Sequence, residues 1–382
     1  MITPPSTPPD SAAANLGQHF FIVSTAFLAL TGGVMLAWGD KLHEQPLFPI
    51  TVAAVHLYVL GVLTIGLIGL AQRWMPRWTG IPLPWPALNP WTLGSLAIGA
   101  LTVFLGIGTT LHPWTLLVAS AGVGIGCLFF LLQAWIMLLR TTRTGMVIGL
   151  LRLAMLSLTG VFFLGGVFLG EYSHGFLAYD RFAMVGTHLT WGIFGWAGAL
   201  LVAMRLAVSR PDIDAIPKIQ LWMAGLVLSW ILVPVALFVP ENDPRWLWPA
   251  LLPGMISLVQ LTRVAWPTRK SPPNHYIWIA DICGALALLT ALLWPIRPEP
   301  QLRLLFGVLI LLGWTLSLML GVLPFNRNDR LMESHWIIHL TAIVMTALGL
   351  LLPWPFVWQS GGWMLMISAI LLLRVELTGE ST

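Results

Sequence analysis

The chain has 382 residues, of which 57% are hydrophobic and only 9% are charged. A soluble domain is about 45–50% apolar and about 25% charged, so this composition excludes a soluble globular protein and predicts a membrane protein. The net charge of +4 comes from scattered basic residues, which excludes a nucleic-acid-binding patch. Cys127 and Cys283 lie far apart without a CxxC motif, so no disulfide framework or thiolate metal site is indicated.

Residues 1–18 are rich in Pro, Ser and Ala, and we predict a short flexible tail there. A cleavable signal peptide is not expected, because the first basic residue, Lys41, follows the first apolar run. Residues 19–374 are predicted to form a single transmembrane domain. Residues 375–382 are predicted to form a short C-terminal tail.

Apolar runs separated by Pro, Gly and charged residues continue along the rest of the chain. A helix crosses a bilayer with about 20 apolar residues, whereas barrel strands alternate apolar and polar residues. The predicted fold is therefore all-α, a polytopic membrane protein with about twelve transmembrane helices. The predicted spans are residues 19–38, 48–71, 91–111, 114–139, 146–170, 183–208, 219–240, 246–266, 276–296, 304–324, 334–353 and 357–374. Very short connections predict tight antiparallel hairpins for spans three and four and for spans eleven and twelve.

The distribution of basic residues predicts the orientation of these spans. If the N-terminus is cytoplasmic, most of the Lys and Arg residues outside the spans fall in inner segments. The smaller, outer set consists of Lys41, Arg181, Arg245, Arg297 and Arg303. Because cytoplasmic loops carry an excess of basic residues, both termini are predicted to be cytoplasmic. We expect a multi-pass protein of a bacterial inner (plasma) membrane, with the lipid bilayer as its first partner and no nucleic-acid partner.

Two histidines on the predicted outer side are candidate cofactor ligands. His56 and His188 lie about 12 Å and about 7–8 Å below the outer boundary, at 1.5 Å of rise per residue. Gly192 and Gly195 share the helical face of His188, where missing side chains would leave room for a flat macrocycle. A neutral imidazole is an axial ligand of haem iron and suits copper equally. The alternative is a pair of histidines hydrogen-bonded across helices.

On the inner side, His335 and His339 are four residues apart and share one helical face. This HxxxH spacing can chelate a metal ion, although it lacks the glutamate of HExxH. The alternative is two amphipathic residues near the membrane interface. Arg152 and Asp281 also lie inside predicted spans, which indicates either a buried ion pair or proton handling by Asp281.

The sequences around the outer histidines resemble a known family. Residues 56–64, HLYVLGVLT, are similar to the second helix of divergent relatives of haem-copper oxidase subunit I, which include the NnrS proteins. Residues 187–196, THLTWGIFGW, resemble a sixth-helix segment of the same relatives. The resemblance implies twelve helices, a haem ligand at His56 and a copper ligand at His188, together with a role in nitric oxide metabolism.

The resemblance has clear boundaries. The seventh predicted span has no His-His pair, and the tenth has no HxH motif. The sequence therefore does not support a complete dioxygen-reducing binuclear centre. His335 and His339 lie on the opposite side of the membrane from the missing ligands.

Two classes of function remain open from the sequence. The first is a haem-binding membrane protein, with or without copper, that transfers electrons or handles a small gas such as nitric oxide. It would use a redox partner protein or another electron donor, and whether it is an oxidoreductase enzyme stays open. The second is a secondary transporter, indicated by Pro234, Pro253 and the intramembrane Asp281. A structural or assembly subunit is a third hypothesis.

The predicted orientation is tested with reporter fusions. A reporter that is active only in the cytoplasm should be active after Thr382 and silent near Glu241, because the basic residues favour cytoplasmic termini. An external Thr382 would reverse the orientation and place His56 and His188 on the inner side.

Overall fold

The computed structural model describes residues 11–44, 49–110, 112–174, 181–209, 213–216, 219–237, 247–264, 274–293, 300–322, 330–352 and 354–378. Helices account for nearly all of these residues, and no strand occurs in these ranges. The all-α class predicted from the sequence is therefore confirmed. The physical reason is that a helix satisfies its own backbone hydrogen bonds, as a chain in hydrocarbon requires.

The helices follow one another with short connections. In the first half they are α1 (Ser11–Glu44), α2 (Pro49–His56), α3 (Ile65–Thr79), α4 (Asn89–Leu105), α5 (Pro113–Arg140), α6 (Met146–His174), α7 (Arg181–Thr190) and α8 (Ala199–Ser209). In the second half they are α9 (Ile219–Leu237), α10 (Leu247–Val264), α11 (His275–Leu293), α12 (Pro300–Val308), α13 (Ser317–Val322), α14 (Arg330–Leu351) and α15 (Pro355–Thr378). Segments of π-helix join α2 to α3 (Leu57–Thr64), α7 to α8 (Trp191–Gly198) and α12 to α13 (Leu309–Leu316).

Within the described residues, ten helical stretches are long and apolar enough to cross a membrane. They are Gly17–Gly39, Pro49–Thr79, Pro86–Thr109, Trp114–Arg140, Met146–Glu171, Ala183–Ser209, Ile219–Ala236, Leu304–Val322, Ser334–Leu351 and Pro355–Val375. These stretches match ten predicted spans, and the chain is a multi-pass membrane protein. The eighth and ninth predicted spans correspond to α10 and to the shorter apolar helix His275–Ala291, so the count of twelve stays a prediction.

Both ends of the chain differ from the sequence expectation where they are described. Helix α1 begins at Ser11, so residues 11–18 are helical rather than part of an extended tail. Helix α15 continues to Thr378, beyond the predicted end of the transmembrane domain at residue 374. Residues 1–10 and 379–382 lie outside the described ranges.

The chain divides into two compact units. Of the described residues, unit 1 contains Ala71–Pro86 and those within Leu128–Pro273. Unit 2 contains the described residues within Ser11–Leu70, Ala87–Cys127 and Asn274–Thr382.

The three eight-residue π-helical segments share a glycine at their fifth position. These glycines are Gly61, Gly195 and Gly313, and each packs against the helix that precedes its own span. A methyl group at these positions would clash with Phe27, Ser157 and Cys283, respectively. Glycine therefore lets each interrupted helix approach its predecessor closely.

Helical hairpins recur after the interrupted spans and are also packed through small residues. Gly99 contacts Gly122 between α4 and α5, and Gly225 contacts Ser257 between α9 and α10. In the third hairpin, Gly361 lies against Thr346 between α15 and α14. The hairpins predicted for spans three and four and for spans eleven and twelve are therefore confirmed. A single helix, a π-interrupted helix and a hairpin thus recur in the same order three times along the chain.

Two glycines of one π-helical segment provide a matched test of this packing. Gly195→Ala should destabilise the protein by about 1–3 kcal/mol, because the added methyl group has no space beside Ser157 and Trp230. Gly192→Ala should change the stability by less than about 0.5 kcal/mol, because its nearest neighbour, a Val161 methyl group, is 3.8 Å away. Thermal unfolding in detergent measures both changes, and equal melting temperatures for the two variants would contradict the packing.

Candidate functional site

Two histidines of α14 lie in the interior of unit 2. The side chains of His335 and His339 are both 0% exposed. Both imidazoles are therefore packed inside the unit and do not face its surroundings. Packing by α11, α13 and α15 covers the face of α14 that they share, and this packing cannot be read from their spacing of four residues.

His335 uses both of its ring nitrogens. Its Nδ1 is hydrogen-bonded to the hydroxyl of Tyr276, the second residue of α11, and its Nε2 to the hydroxyl of Ser368 on α15, at 2.8 Å. A neutral imidazole has one N–H and one lone pair, so these two hydrogen bonds use its full capacity. A metal ion could bind His335 only by replacing one of them.

His339 lies one helical turn further along α14 and is partnered on one side. Its Nε2 is hydrogen-bonded at 2.8 Å to the hydroxyl of Ser317, the first residue of α13. Its Nδ1 is buried without a hydrogen-bond partner among the described residues. The rings of His335 and His339 are nearly parallel, with an interplanar angle of 10° and centroids 6.1 Å apart.

These side chains form what we call the buried histidine cluster: Tyr276, Ser317, His335, His339 and Ser368. Every member is a neutral group in its ordinary protonation state, and each can both donate and accept a hydrogen bond. The described residues contain no group of three or more His, Cys, Asp or Glu side chains that could hold a metal ion. The cluster therefore resembles a hydrogen-bond network more closely than a metal site.

The start of α11 positions Tyr276 for this network. The side chain of Asn274 accepts a hydrogen bond from the amide of Ile277 at 3.4 Å, as an N-terminal helix cap does. The same side chain donates to the carbonyl of Gly321 in α13 at 2.8 Å. One asparagine therefore both begins α11 and ties it to the helix that carries Ser317.

His56, the first predicted cofactor ligand, ends α2 directly before a π-helical segment. Its Nδ1 donates a hydrogen bond to the carbonyl of Val52, four residues earlier, at 2.8 Å. Two residues later, the Tyr58 hydroxyl donates to the carbonyl of Leu311 at 3.0 Å. Leu311 belongs to the π-helical segment between α12 and α13, so this bond joins two interrupted helices within unit 2.

His188, the second predicted ligand, is half-buried in unit 1. Its ring packs edge-to-face on Phe168 with centroids 5.6 Å apart, and its Cε1 lies against Gly165. The space predicted beside Gly192 exists, because no atom crowds the position of a side chain there. The space predicted beside Gly195 does not exist, because Ser157 fills it, so Gly195 is a packing residue.

The predicted residue pairs fall in different units of the chain. His56 belongs to unit 2 and His188 to unit 1, so their use of one site stays a prediction. Likewise, Asp281 is a half-buried residue of α11 in unit 2, whereas Arg152 belongs to unit 1. The Arg152 side chain is exposed, and its guanidinium donates to the carbonyl of Leu138 at 3.4 Å.

Sequence reasoning missed the three hydroxyl residues of the buried histidine cluster. Tyr276, Ser317 and Ser368 lie in apolar runs, near the same end of their predicted spans as His335. Polar side chains towards the same end of several spans were therefore an available signal. Many serines and threonines of apolar helices bond to their own backbone instead, as Ser157 does to Leu153, and this dilutes the signal.

No protein family model matches the chain, and no curated protein sequence matches it.

The hydrogen bond of His339 predicts a specific loss of stability. Ser317→Ala should destabilise the protein by about 1–3 kcal/mol, because it leaves a buried imidazole nitrogen without its partner. Ser360→Ala is the matched control, since among the described residues that hydroxyl bonds to the carbonyl of Phe356 in its own helix. The control should shift stability by less than about 0.5 kcal/mol. Thermal unfolding measures both changes. An unchanged melting temperature in Ser317→Ala would show that this hydrogen bond does not stabilise the protein.

Proposed function

We propose that this chain is an integral membrane haem protein in which His56 is an axial ligand. In this proposal it transfers electrons or handles a small gas such as nitric oxide, in a bacterial inner membrane. The observation that carries the proposal is the hydrogen bond from His56 Nδ1 to the carbonyl of Val52, inside an apolar helix.

This hydrogen bond determines which nitrogen of His56 can bind a metal. A carbonyl oxygen only accepts hydrogen bonds, so Nδ1 must carry the proton. In the neutral imidazole the lone pair is then on Nε2, the nitrogen at the far end of the ring. Metal-binding histidines characteristically donate their other N–H to a carbonyl or carboxylate, which holds the ring orientation and raises ligand basicity. The side chain of His56 thus fits an axial ligand.

The surroundings of His56 also suit a functional position. Single π-helical turns inside α-helices are rare and occur frequently at functional sites. The π-helical segment Leu57–Thr64 begins at the residue after His56. Within it, the Tyr58 hydroxyl donates a hydrogen bond to the carbonyl of Leu311, which lies in another π-helical segment. Bound haem would supply reversible one-electron chemistry and a coordination position for a diatomic gas.

Copper at His188 is a second part of the proposal. The imidazole is a good copper ligand, and the open position at Gly192 leaves space on its helical face. Within the described residues, His188 does not belong to any group of three or more His, Cys, Asp or Glu side chains. Further copper ligands would therefore come from outside the described residues.

A secondary transporter is the alternative. It is favoured by the prolines inside two apolar helices, Pro234 in α9 and Pro253 in α10, and by the half-buried carboxylate of Asp281 in α11. Interrupted helices and intramembrane carboxylates are typical of transport sites. Transport would not require a haem ligand at His56.

Absorption spectra of the purified protein distinguish the two functions. We expect wild-type protein from a haem-sufficient host to show a Soret band and dithionite-dependent visible bands. His56→Ala should reduce the haem content at least tenfold while the melting temperature stays near that of wild type. His188→Ala should remove copper, measured by metal analysis of the same sample.

His112→Ala is the matched control for both variants, because His112 is exposed in the connection between α4 and α5. It should leave haem and copper contents unchanged. Wild-type protein without haem or metal would refute the cofactor proposal and make uptake assays of Asp281→Asn the next experiment.

A further inference from the structure

Four arginines of unit 1 lie where the ends of three membrane-spanning helices come together. Arg77 is near the end of α3, and Arg140 is the last residue of α5. Arg143 lies in the connection between α5 and α6, and Arg152 in the second turn of α6. We call these four residues the arginine patch. Arg77 is distant in sequence from the other three, so the tertiary structure brings them together.

Hydrogen bonds tie the connection between α5 and α6 to the end of α3. The Arg143 guanidinium donates from Nη1 to the carbonyls of Arg77 and Trp78, at 2.7 Å and 3.0 Å. The Thr141 hydroxyl donates to the next carbonyl, that of Thr79, at 2.7 Å. The connection therefore caps α3, because the last carbonyls of a helix have no partner within it.

Arg152 reaches the same end of the unit from inside an apolar helix. Its Cα lies six residues after Met146, the first residue of α6, which corresponds to about 9 Å of helix rise. Its guanidinium donates to the carbonyl of Leu138, two residues before the end of α5, at 3.4 Å. The side chain thus extends back towards the membrane boundary, as long basic side chains in membrane helices do.

The contacts of the arginine patch leave its positive charge uncompensated. Arg143 and Arg152 bind carbonyl oxygens, which are neutral. The Arg77 guanidinium lies over the indole of Trp74, 4.9 Å from the ring centroid, and this partner is neutral too. The side chains of Arg140, Arg143 and Arg152 are exposed. Because a guanidinium has five N–H donors, these exposed arginines keep donors for an anionic partner.

One carboxylate lies beside the arginine patch within the described residues of unit 1. The Asp214 side chain accepts a hydrogen bond at 2.6 Å from the amide of Met146, at the start of α6. A carboxylate in this position caps the N-terminus of the helix, so it is engaged with the backbone. One negative charge beside four positive charges leaves this end of the unit basic.

Arg152 also begins an exposed strip along α6. The residues four, seven and eleven positions after it, Leu156, Thr159 and Phe163, are exposed as well. This spacing follows one face of an α-helix. Leu156 and Phe163 are large apolar side chains with exposed fractions of 46% and 69%. The surface is therefore positive at the membrane boundary and apolar below it, which is complementary to a lipid with an anionic headgroup.

We propose that the arginine patch binds the headgroup of an anionic phospholipid, whose acyl chains lie along the exposed strip of α6. The phosphate accepts hydrogen bonds from Arg140 and Arg152, because arginine and phosphate oxygens form short, charge-assisted pairs. Arg77 and Arg143 add positive charge and hold the connection against α3. The lipid joins the ends of three helices of unit 1. Its binding requires neither haem nor copper, so it is independent of the proposed function.

Native mass spectrometry of the full-length protein in detergent tests this proposal by counting bound lipids. Phosphatidylglycerol is the anionic probe, and phosphatidylcholine is the zwitterionic one. Both lipids carry a phosphate, but the choline of the second compensates its charge. Wild type should bind phosphatidylglycerol about tenfold more tightly than phosphatidylcholine, because only the first lipid brings a net negative charge to the arginines. Equal affinities for the two lipids would overturn the proposal.

Single arginine substitutions locate the site. A basic side chain at an anionic membrane surface contributes about 1 kcal/mol, which corresponds to about fivefold in affinity. Arg152→Gln and Arg140→Gln should therefore each weaken the binding of phosphatidylglycerol about fivefold and leave that of phosphatidylcholine unchanged. Because Arg140 is exposed at the end of α5, its variant keeps the test decisive if Arg152→Gln fails to fold.

Arg374→Gln is the matched control, because it removes the same charge from an exposed position near the end of α15, in unit 2. It should keep the wild-type affinity for phosphatidylglycerol. Equal weakening in Arg374→Gln and Arg152→Gln would mean a general attraction to positive charge and would contradict a site at the arginine patch.

Inorganic phosphate distinguishes a lipid from a free anion. Sodium phosphate at the concentration of the lipid should not displace phosphatidylglycerol, because it has no acyl chains to lie along α6. Displacement would mean that the arginine patch is a site for a free anion, and would overturn the lipid proposal.

Discussion

Hydrocarbon provides no hydrogen-bond partners, so a polar group buried there depends on the protein itself for one. Regular helices meet this requirement for the backbone. Where a helix changes to π-helical spacing, side chains supply part of what the regular pattern no longer provides. In unit 2, the Tyr58 hydroxyl donates to the Leu311 carbonyl, and the Thr315 hydroxyl donates at 2.6 Å to the carbonyl of Ile310, five residues earlier.

The same requirement explains why the histidines differ in what they can do. His335 has a hydroxyl on each nitrogen, so either nitrogen can carry the proton while the other accepts a hydrogen bond. His56 instead donates to a carbonyl of its own helix, which fixes the proton on Nδ1 and directs the lone pair of Nε2 outward along the ring. The type of hydrogen-bond partner therefore decides whether the tautomer of a buried histidine is fixed, and sequence spacing does not show which partner it has. Carbonyls fix a tautomer, whereas hydroxyls permit both.

Close helix packing supports these sites and depends on where side chains are missing. Each long π-helical segment approaches its preceding helix through one glycine, and each following hairpin is packed through small residues. In a bilayer, where lipid competes with apolar side chains, such close contact is a main source of helix association. The recurrence of this order along the chain means that the π-helical segments belong to the architecture and are not isolated defects.

The sequence by itself determined the membrane class, the helical fold and ten of the spans, because apolar run length and composition are local properties that a bilayer converts directly into helices. It also identified His56, His188, His335 and His339 as costly polar residues. Tertiary structure alone decided that α14 turns both of its histidines inward and that Tyr276, Ser317 and Ser368 meet them. Tertiary structure also decided that Gly192 faces open space, whereas Ser157 fills the space beside Gly195, although the sequence places both glycines on one helical face. These outcomes depend on which helices pack together, and that choice is made by residues distant in the chain.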